Sequence, residues 1–245
     1  GAVVLWPEQE SIFDLHLLLW ADGESSFFSE KMNQALDPTR TVFFPERWTR
    51  FKVEGNIIKT NDGRTVNIND CQIGVWLDPR ASKETEKNDF AAIATVCKDN
   101  LGFYYVISCD IKRDPVNSQL NRMWSMFETY GHRAQYAYED NGFAVLIGDL
   151  IEKERLERQK KRQTWDLVLD GFASTGNKND RIMRLAPRVD LNWIQFNENL
   201  PREVINQMSS FPNSTHDDAP DAIERCCWLL EGGGSVHGTI HAQWS

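Results

Sequence analysis

The chain of 245 residues has no long apolar run, no nucleotide-binding loop and no cysteine pattern. No stretch approaches the roughly 20 apolar residues that cross a bilayer. No basic segment leading into a hydrophobic one marks a signal peptide. A G-x-x-x-x-G-K motif followed by Ser or Thr is missing, which excludes ATP hydrolysis by a phosphate-loop mechanism. The five cysteines, Cys71, Cys97, Cys109, Cys226 and Cys227, are odd in number and form no C-x-x-C, and no Cys/His set has zinc spacing. Each lies in or beside an apolar segment, as expected of buried free thiols in a reducing compartment. The net charge of −9 argues against a protein that coats nucleic acid non-specifically, while leaving room for local basic strips. Neither an internal repeat nor a low-complexity segment is present.

What the chain does have is a core-forming apolar pattern, nine tryptophans expected as core and cap residues, and acids at particular places. Residues 1–50 open with helical stretches, Ser11 to Trp20 and Phe27 to Leu36. Neither buries a face alone, so each needs a neighbouring element. Val42 to Phe51 is aromatic and reads as the cap of a core edge. Residues 51–71 hold a β-hairpin appendage, with strands on either side of Asn61-Asp62-Gly63. The pattern changes from residue 72. Ile73 to Asp78 is a continuous apolar run ending on an acid, the signature of a strand buried on both faces. Phe90 to Cys97 and Phe103 to Asp110 continue a meander, Pro115 to Tyr130 is a helix, and Arg133 to Tyr138 is a strand ending at Glu139-Asp140. A long helix follows from Phe143 to Arg162, then a short strand, Trp165 to Leu169. Asn179 to Leu185 is a helix stopped at Pro187, Trp193 to Phe196 a strand and Pro201 to Ser209 a helix. A last helix runs to Leu230, and 232–245 is a tail expected to be mobile. The order describes an α/β domain over 72–231, a mixed central sheet flanked by helices.

Chemistry in such a domain sits where strands end and helices begin. Asp78, Glu139 and the pair Asp217/Asp218 occupy such places. Clustered, partly desolvated carboxylates repel one another unless a cation holds them together. All-oxygen ligation suits Mg²⁺ or Mn²⁺, and two such ions would bracket a phosphodiester for hydrolysis. Asp218 shares its helical stripe with Ala222, Cys226, Leu229 and Leu230, so it is expected to face the sheet as the direct ligand. Asp217 is expected to assist or to hold a second ion, and Asp221 to act as a cap beside His216, a hydrogen-bonding neighbour of the ligands. In the bland alternative Asp218 is an N-cap, with Asp221 completing a capping box.

From about Ile73 to Leu230 the chain resembles the nuclease domain of the large terminase subunit of tailed bacteriophages, a member of the RNase H-like superfamily. The likeness rests on Val75-Trp76-Leu77-Asp78 with Lys87 to Ile93, on Tyr138 to Phe143, on Lys178 to Ile182 with Leu185-Ala186-Pro187, and on His216 to Ala222. Residues 3–50 are similar to the segment by which such subunits leave their ATPase. The resemblance implies an RNase H-like endonuclease that cuts concatemeric double-stranded viral DNA at the start and end of packaging. It implies metals on Asp78, Glu139, Asp217 and Asp218, a small terminase subunit and a portal protein as partners, and the host bacterial cytoplasm during virion assembly as its setting. The ATPase motor half is absent from the chain.

Lys178, Arg181, Arg184 and Arg188 recur at near-helical spacing and are candidates for phosphate contacts, as are the loop residues Lys83 and Lys87. Lys153 to Arg162 is better read as a solvated helix end. Two rivals remain. One is another RNase H-like nuclease, a resolvase or transposase. The other is a non-catalytic acidic docking module of a packaging motor, whose carboxylates are caps and surface charge.

Overall fold

The structure, a computed structural model, describes residues 11–18, 41–80, 90–140, 142, 144–161, 167–173 and 175–233. Its frame is one nine-stranded mixed sheet in the order β3-β2-β1-β9-β6-β5-β4-β7-β8. The strands are β1 Arg50–Glu54, β2 Ile57–Thr60, β3 Thr65–Asn67, β4 Gln72–Asp78, β5 Ala91–Lys98, β6 Tyr104–Lys112, β7 Ala134–Glu139, β8 Asp170–Phe172 and β9 Ile194–Asn197. The helices are α1 Val116–Tyr130, α2 Ala144–Lys160, α3 Lys178–Met183, α4 Leu185–Asp190, α5 Arg202–Ser210 and α6 Asp218–Leu230. The expected α/β class, with helices flanking a mixed central sheet, is what the chain forms.

β4 is buried on both faces because the sheet is covered on both. Side chains alternate along a strand, and Ile73, Val75 and Leu77 join the core that α1 closes with Leu120, Met123, Trp124 and Phe127. Trp76 lies on the other face, in the core closed by α5 and α6. Gly74 shares that face. A Cβ there would stand 3.1 Å from Leu230 Cγ and 3.2 Å from Cys226 Sγ, so the missing side chain lets α6 lie directly on β4. The Cys226 thiol donates to the Ala94 carbonyl at 3.7 Å, over the neighbouring strand. Four of the five cysteines are buried, and all five are free thiols. Among the described residues no helix is long and apolar enough to cross a membrane.

The structure departs from the sequence expectations at three places. The hairpin is the end of a three-stranded meander, and β1 joins it to the main sheet by pairing in parallel with β9. The signal for β1 lies in Arg50-Phe51-Lys52-Val53-Glu54, where apolar and charged residues alternate. Phe51 is buried and Lys52 and Glu54 are exposed. Gly55, at φ +60°, makes the two-residue turn into β2. Pro187 does not end a helix. It sits in the first turn of α4, where its missing N–H leaves no helical bond unmade. The strand expected over Trp165 to Leu169 forms instead at Asp170–Phe172, parallel to β7, and residues 162–166 lie outside the described residues. Of the expected N-terminal helices, residues 12–18 are helical, started by a reciprocal pair in which Ser11 and Asp14 each bond the other's backbone N–H. Phe27 to Leu36 and most of the tail lie outside the described residues.

Gly74→Val should cost about 1–3 kcal/mol of stability by forcing α6 off β4. Urea unfolding followed by tryptophan fluorescence checks this, and an unchanged midpoint would show that the close approach is not needed.

Candidate metal centre

β4 and β7 run in parallel with Leu77 opposite Tyr138, so the next residues, Asp78 and Glu139, end the two strands side by side. Alternation sets the face. Asp78 has the parity of Trp76, and Glu139 that of Ala137, and both of those neighbours belong to the core under α6. Both carboxylates are buried, Asp78 at 1% and Glu139 at 6% exposure.

α6 brings the third acid. Carboxylate oxygens of Asp78, Glu139 and Asp221 all lie within 4.8 Å of one another. The expectation that Asp221 is a cap does not hold. The N–H of Ala219 in the first turn donates to Gln207 Oε1 of α5 at 2.9 Å, and Asp217, at the N-cap position, makes no side-chain capping bond. A buried glutamine from another helix does the capping, which leaves the acids of α6 for other work. Nor does a wet face set Asp218 apart from Asp221. Twelve of the thirteen residues of α6 are buried, so the helix has no solvent face on which to place Asp221.

Asp218 is also buried and stands beside the triad. The Arg80 guanidinium reaches it at 3.5 Å and reaches Asp78 at 3.8 Å, so one cation spans both acids. Arg80 is itself pinned by Gln119 of α1. The Gln119 amide oxygen accepts from the Arg80 N–H at 3.3 Å, and its NH₂ donates to the Arg80 carbonyl at 2.8 Å. Lys178 Nζ lies 2.8 Å from Asp217 Oδ1 and 3.2 Å from Asp221 Oδ2. Arg181 donates to the other oxygen of Asp221 at 3.0 Å and also faces Glu224 at 3.7 Å. His216 lies 3.9 Å from Asp218 and packs edge-on against Phe90. Asp140 points elsewhere, accepting from the Gly142 N–H.

Asp78 is weakly compensated. Among the described residues neither of its oxygens accepts a hydrogen bond. Burial raises its pKa well above the usual carboxylate range; Arg80 and Lys178 oppose that rise, and Glu139 and Asp221 add to it by repulsion. Burial raises the Asp218 pKa too, against the pull of Lys178 and Arg80. For Lys178 burial works the other way, but Asp221 and Asp217 outweigh it and its pKa is raised. An orphaned buried carboxylate facing two others fits a hard divalent cation, which prefers oxygen ligands and reverses the repulsion among them.

The four basic candidates do not form one edge. Lys178 and Arg181 are turned into the acid cluster. Arg184 is exposed at the junction of α3 and α4. Arg188 pairs with Glu231 at 2.7 Å and lies over the Tyr104 ring. Tyr104 pairs with Lys98, which pairs with Gln72, so Arg188 is at the opposite end of the sheet from Asp78. Six residues of strand separate those ends, about 20 Å. The helical spacing was broken by the separation of α3 from α4. Lys83 and Lys87 lie outside the described residues. Arg80, Gln119 and Gln207 were missed by sequence reasoning. The only signal for the two glutamines was a polar residue on the inward face of an amphipathic helix.

No protein-family model matches the sequence, and no curated protein matches it either. Solved structures do. The large terminase of a thermophilic bacteriophage, in complex with ADP, aligns at a TM-score of 0.57 and 11% identity, over 89% of this chain and 52% of that one. A second structure of the same phage protein aligns at 0.55 and 11%, over 91% and 53%. The human cytomegalovirus terminase nuclease domain aligns at 0.47 and 13%, over 70% and 85%. The chain thus spans about half the length of the phage large terminase, and at these identities the likeness is one of fold. The chain shares its fold with that phage large terminase over the part of it that the alignment covers.

The raised pKa has a sign that can be measured. A carboxyl whose pKa folding has raised holds a proton in the folded state that the unfolded chain has released. Its contribution to stability is therefore lost as pH climbs from the ordinary value of 3.8 towards the folded one, and the penalty is complete above that. Metal-free Asp78→Asn should accordingly melt about 2–4 °C above wild type at neutral pH, with the gap closing near pH 4. Calorimetry in EDTA checks this, and a variant melting well below wild type at pH 7 would contradict it.

Proposed function

We propose that this chain is the nuclease domain of a viral DNA-packaging terminase, hydrolysing phosphodiester bonds of concatemeric double-stranded DNA to start and end packaging. The observation that carries the reading is the meeting of three buried carboxylates from β4, β7 and α6, with the oxygens of Asp78 accepting no hydrogen bond among the described residues. The fold shared with the large terminase of the thermophilic bacteriophage supports it.

Asp78, Glu139 and Asp221 would hold one divalent cation. Asp78 and Asp218, spanned by the same guanidinium, would hold a second, with Asp217 in reserve. Mg²⁺ or Mn²⁺ suits this all-carboxylate set. Bound there, such ions supply a nucleophilic hydroxide at neutral pH and charge stabilisation for the leaving oxygen. The chain's own residues do the rest. The strand ends fix two ligands on rigid backbone, Gln207 fixes the start of α6, and Arg181 fixes the Asp221 carboxylate. Arg80, with about a third of its side chain exposed at the rim, is placed to meet a phosphate, and exposed Arg184 to extend the contact along the duplex. Lys83 and Lys87 follow Arg80 in sequence and are proposed for the same backbone contacts. Phosphate contacts of this sort carry no sequence information, so cutting with little sequence preference is expected.

A terminase context brings the partners and setting inferred from resemblance: an ATPase motor, a small subunit, a portal protein, and the host bacterial cytoplasm during assembly. The docking-module alternative needs the acids to be caps and surface charge. Capping of α6 by Gln207 and the burial of Asp78, Glu139, Asp218 and Asp221 count against it. A resolvase or transposase would share the acids but not the terminase-like segment proposed for 1–50.

The test is cleavage of supercoiled plasmid in Mg²⁺, Mn²⁺ or EDTA. Wild type should nick and linearise only with metal, and Asp78→Asn and Asp221→Asn should each lose at least about 100-fold, the usual order for a group acting directly on reacting charge. Equal cutting by wild type and Asp78→Asn would sink the reading. Asp218→Asn ranks the two acids of α6: a smaller loss than at Asp221 is expected.

A further inference from the structure

We infer that Lys178 is a built-in counter-ion of the acid cluster that competes with the divalent cation for Asp221. This rests on the metal-centre reading above and goes beyond it, since it concerns what holds the carboxylates together before metal arrives.

Six acids gather at this end of the sheet: Asp78, Glu139, Asp217, Asp218, Asp221 and Glu224. Five are buried and Asp217 is about one-third exposed. Such a group folds without metal only if side-chain cations lower its repulsion. The cations are unevenly placed. Arg181 and Arg225 lie deep, at 5% and 4% exposure. The Arg225 guanidinium lies over the rings of Trp76 and Trp228, 5.0 and 3.8 Å from their centroids. Arg181 is anchored further by the carbonyls of Thr175 and Gly176. Neither can leave without unpacking the core. Lys178 differs. It is the first residue of α3, Asn177 caps that helix through the Asn179 N–H and leaves the ammonium free of capping work, and the side chain is 29% exposed.

Asp221 therefore has two oxygens with two different partners. Oδ1 is held by immobile Arg181, which sets the carboxylate plane, and Oδ2 by Lys178, a flexible point charge. A divalent cation seated among Asp78, Glu139 and Asp221 and the ammonium of Lys178 repel each other at close range, where the effective dielectric is far below that of water. Lys178 has somewhere to go. Its shorter contact, at 2.8 Å, is with Asp217 at the more exposed side, so it can give up Asp221 while keeping an acid partner. Lys178 is thus a positioning residue that stabilises the metal-free site and weakens its hold on metal.

The test is Mn²⁺ binding, read directly from the free-ion electron paramagnetic resonance signal of EDTA-stripped protein with no DNA present. Wild type, Lys178→Met, Lys178→Gln, Lys178→Arg, Lys160→Met and Asp78→Asn are titrated side by side. Loss of the competing charge should tighten Mn²⁺ binding about tenfold in both neutral variants while lowering the metal-free melting temperature. Lys178→Arg should stay near wild type. Lys160→Met, which removes one charge from the exposed end of α2, where Lys160 pairs with Glu157, should stay within twofold. If wild type binds Mn²⁺ no better than Asp78→Asn, the metal centre itself is refuted. If wild type binds and Asp78→Asn does not, but Met and Gln at 178 bind as wild type or more weakly, the counter-ion role is overturned and the metal centre stands. Tightening equally strong in Lys160→Met would reduce the effect to net charge and overturn it as well.

Discussion

The seating of α6 on β4 is the constraint on which the rest of the structure depends. At Gly74 the helix meets bare backbone, and Cys226 and Leu230 occupy the space a side chain would have taken. One turn and a half further towards its N-terminus, the same helix presents Asp221 to the end of β4. The distance between Asp221 and Asp78 is therefore set by core packing and not by a loop. Elements packed at crystal-like density do not deform continuously, which is what a centre built from three separated carboxylates requires. Burial of nearly every residue of α6 supplies the free energy that holds like charges together.

That arrangement has an electrostatic cost, and the neighbourhood is organised around it. Buried carboxylates with one partner missing are strongly unfavourable, and here the partners are graded by mobility. Arg181 and Arg225 are locked by carbonyls and indole rings, Arg80 is held through its backbone by Gln119, and Lys178 reaches in from a short helix. Two glutamines, Gln119 and Gln207, are buried at 0% and 2% exposure and bond backbone atoms next to the acids. A neutral amide can be buried there without adding to the charge imbalance, which an acid or base in the same place would do.

Much of the frame was legible from local pattern. The run from Ile73 to Leu77 announced a strand covered on both faces, and an acid closing such a run has no packing explanation, so Asp78 and Glu139 stood out. The alternation that puts both on one face follows from the same strands. The choice between Asp218 and Asp221 was not legible. Helical periodicity distinguishes faces only when one of them is wet, and α6 is enclosed by the sheet, α3 and α5. Capping was misjudged for a related reason: the donor at Ala219 is satisfied by Gln207, twelve residues earlier in sequence and on another helix, a partner that no short motif records. The basic residues after 178 show the same limit. Their spacing is helical on paper, but the chain turns at Arg184, so Lys178 and Arg181 enter the acid cluster while Arg188 ends beside Tyr104 and Glu231 at the far end of the sheet.

The placement of these cations also bears on what the fold selects for. A surface that only bound DNA would keep its lysines and arginines in water, where counter-ion release supplies the affinity. Here, two of the four basic residues in the stretch from Lys178 to Arg188 are spent on neutralising carboxylates, one on a glutamate at the opposite end, and only Arg184 is left exposed. The net charge of −9 is consistent with that allocation. If the chain acts on DNA as proposed, affinity for the polyanion would come from the rim around Arg80, and the acid cluster itself would repel phosphate until divalent cations reversed its sign. On the proposed reading, binding of a phosphate backbone at this end of the sheet would be conditional on metal, a coupling that follows from where the charges sit.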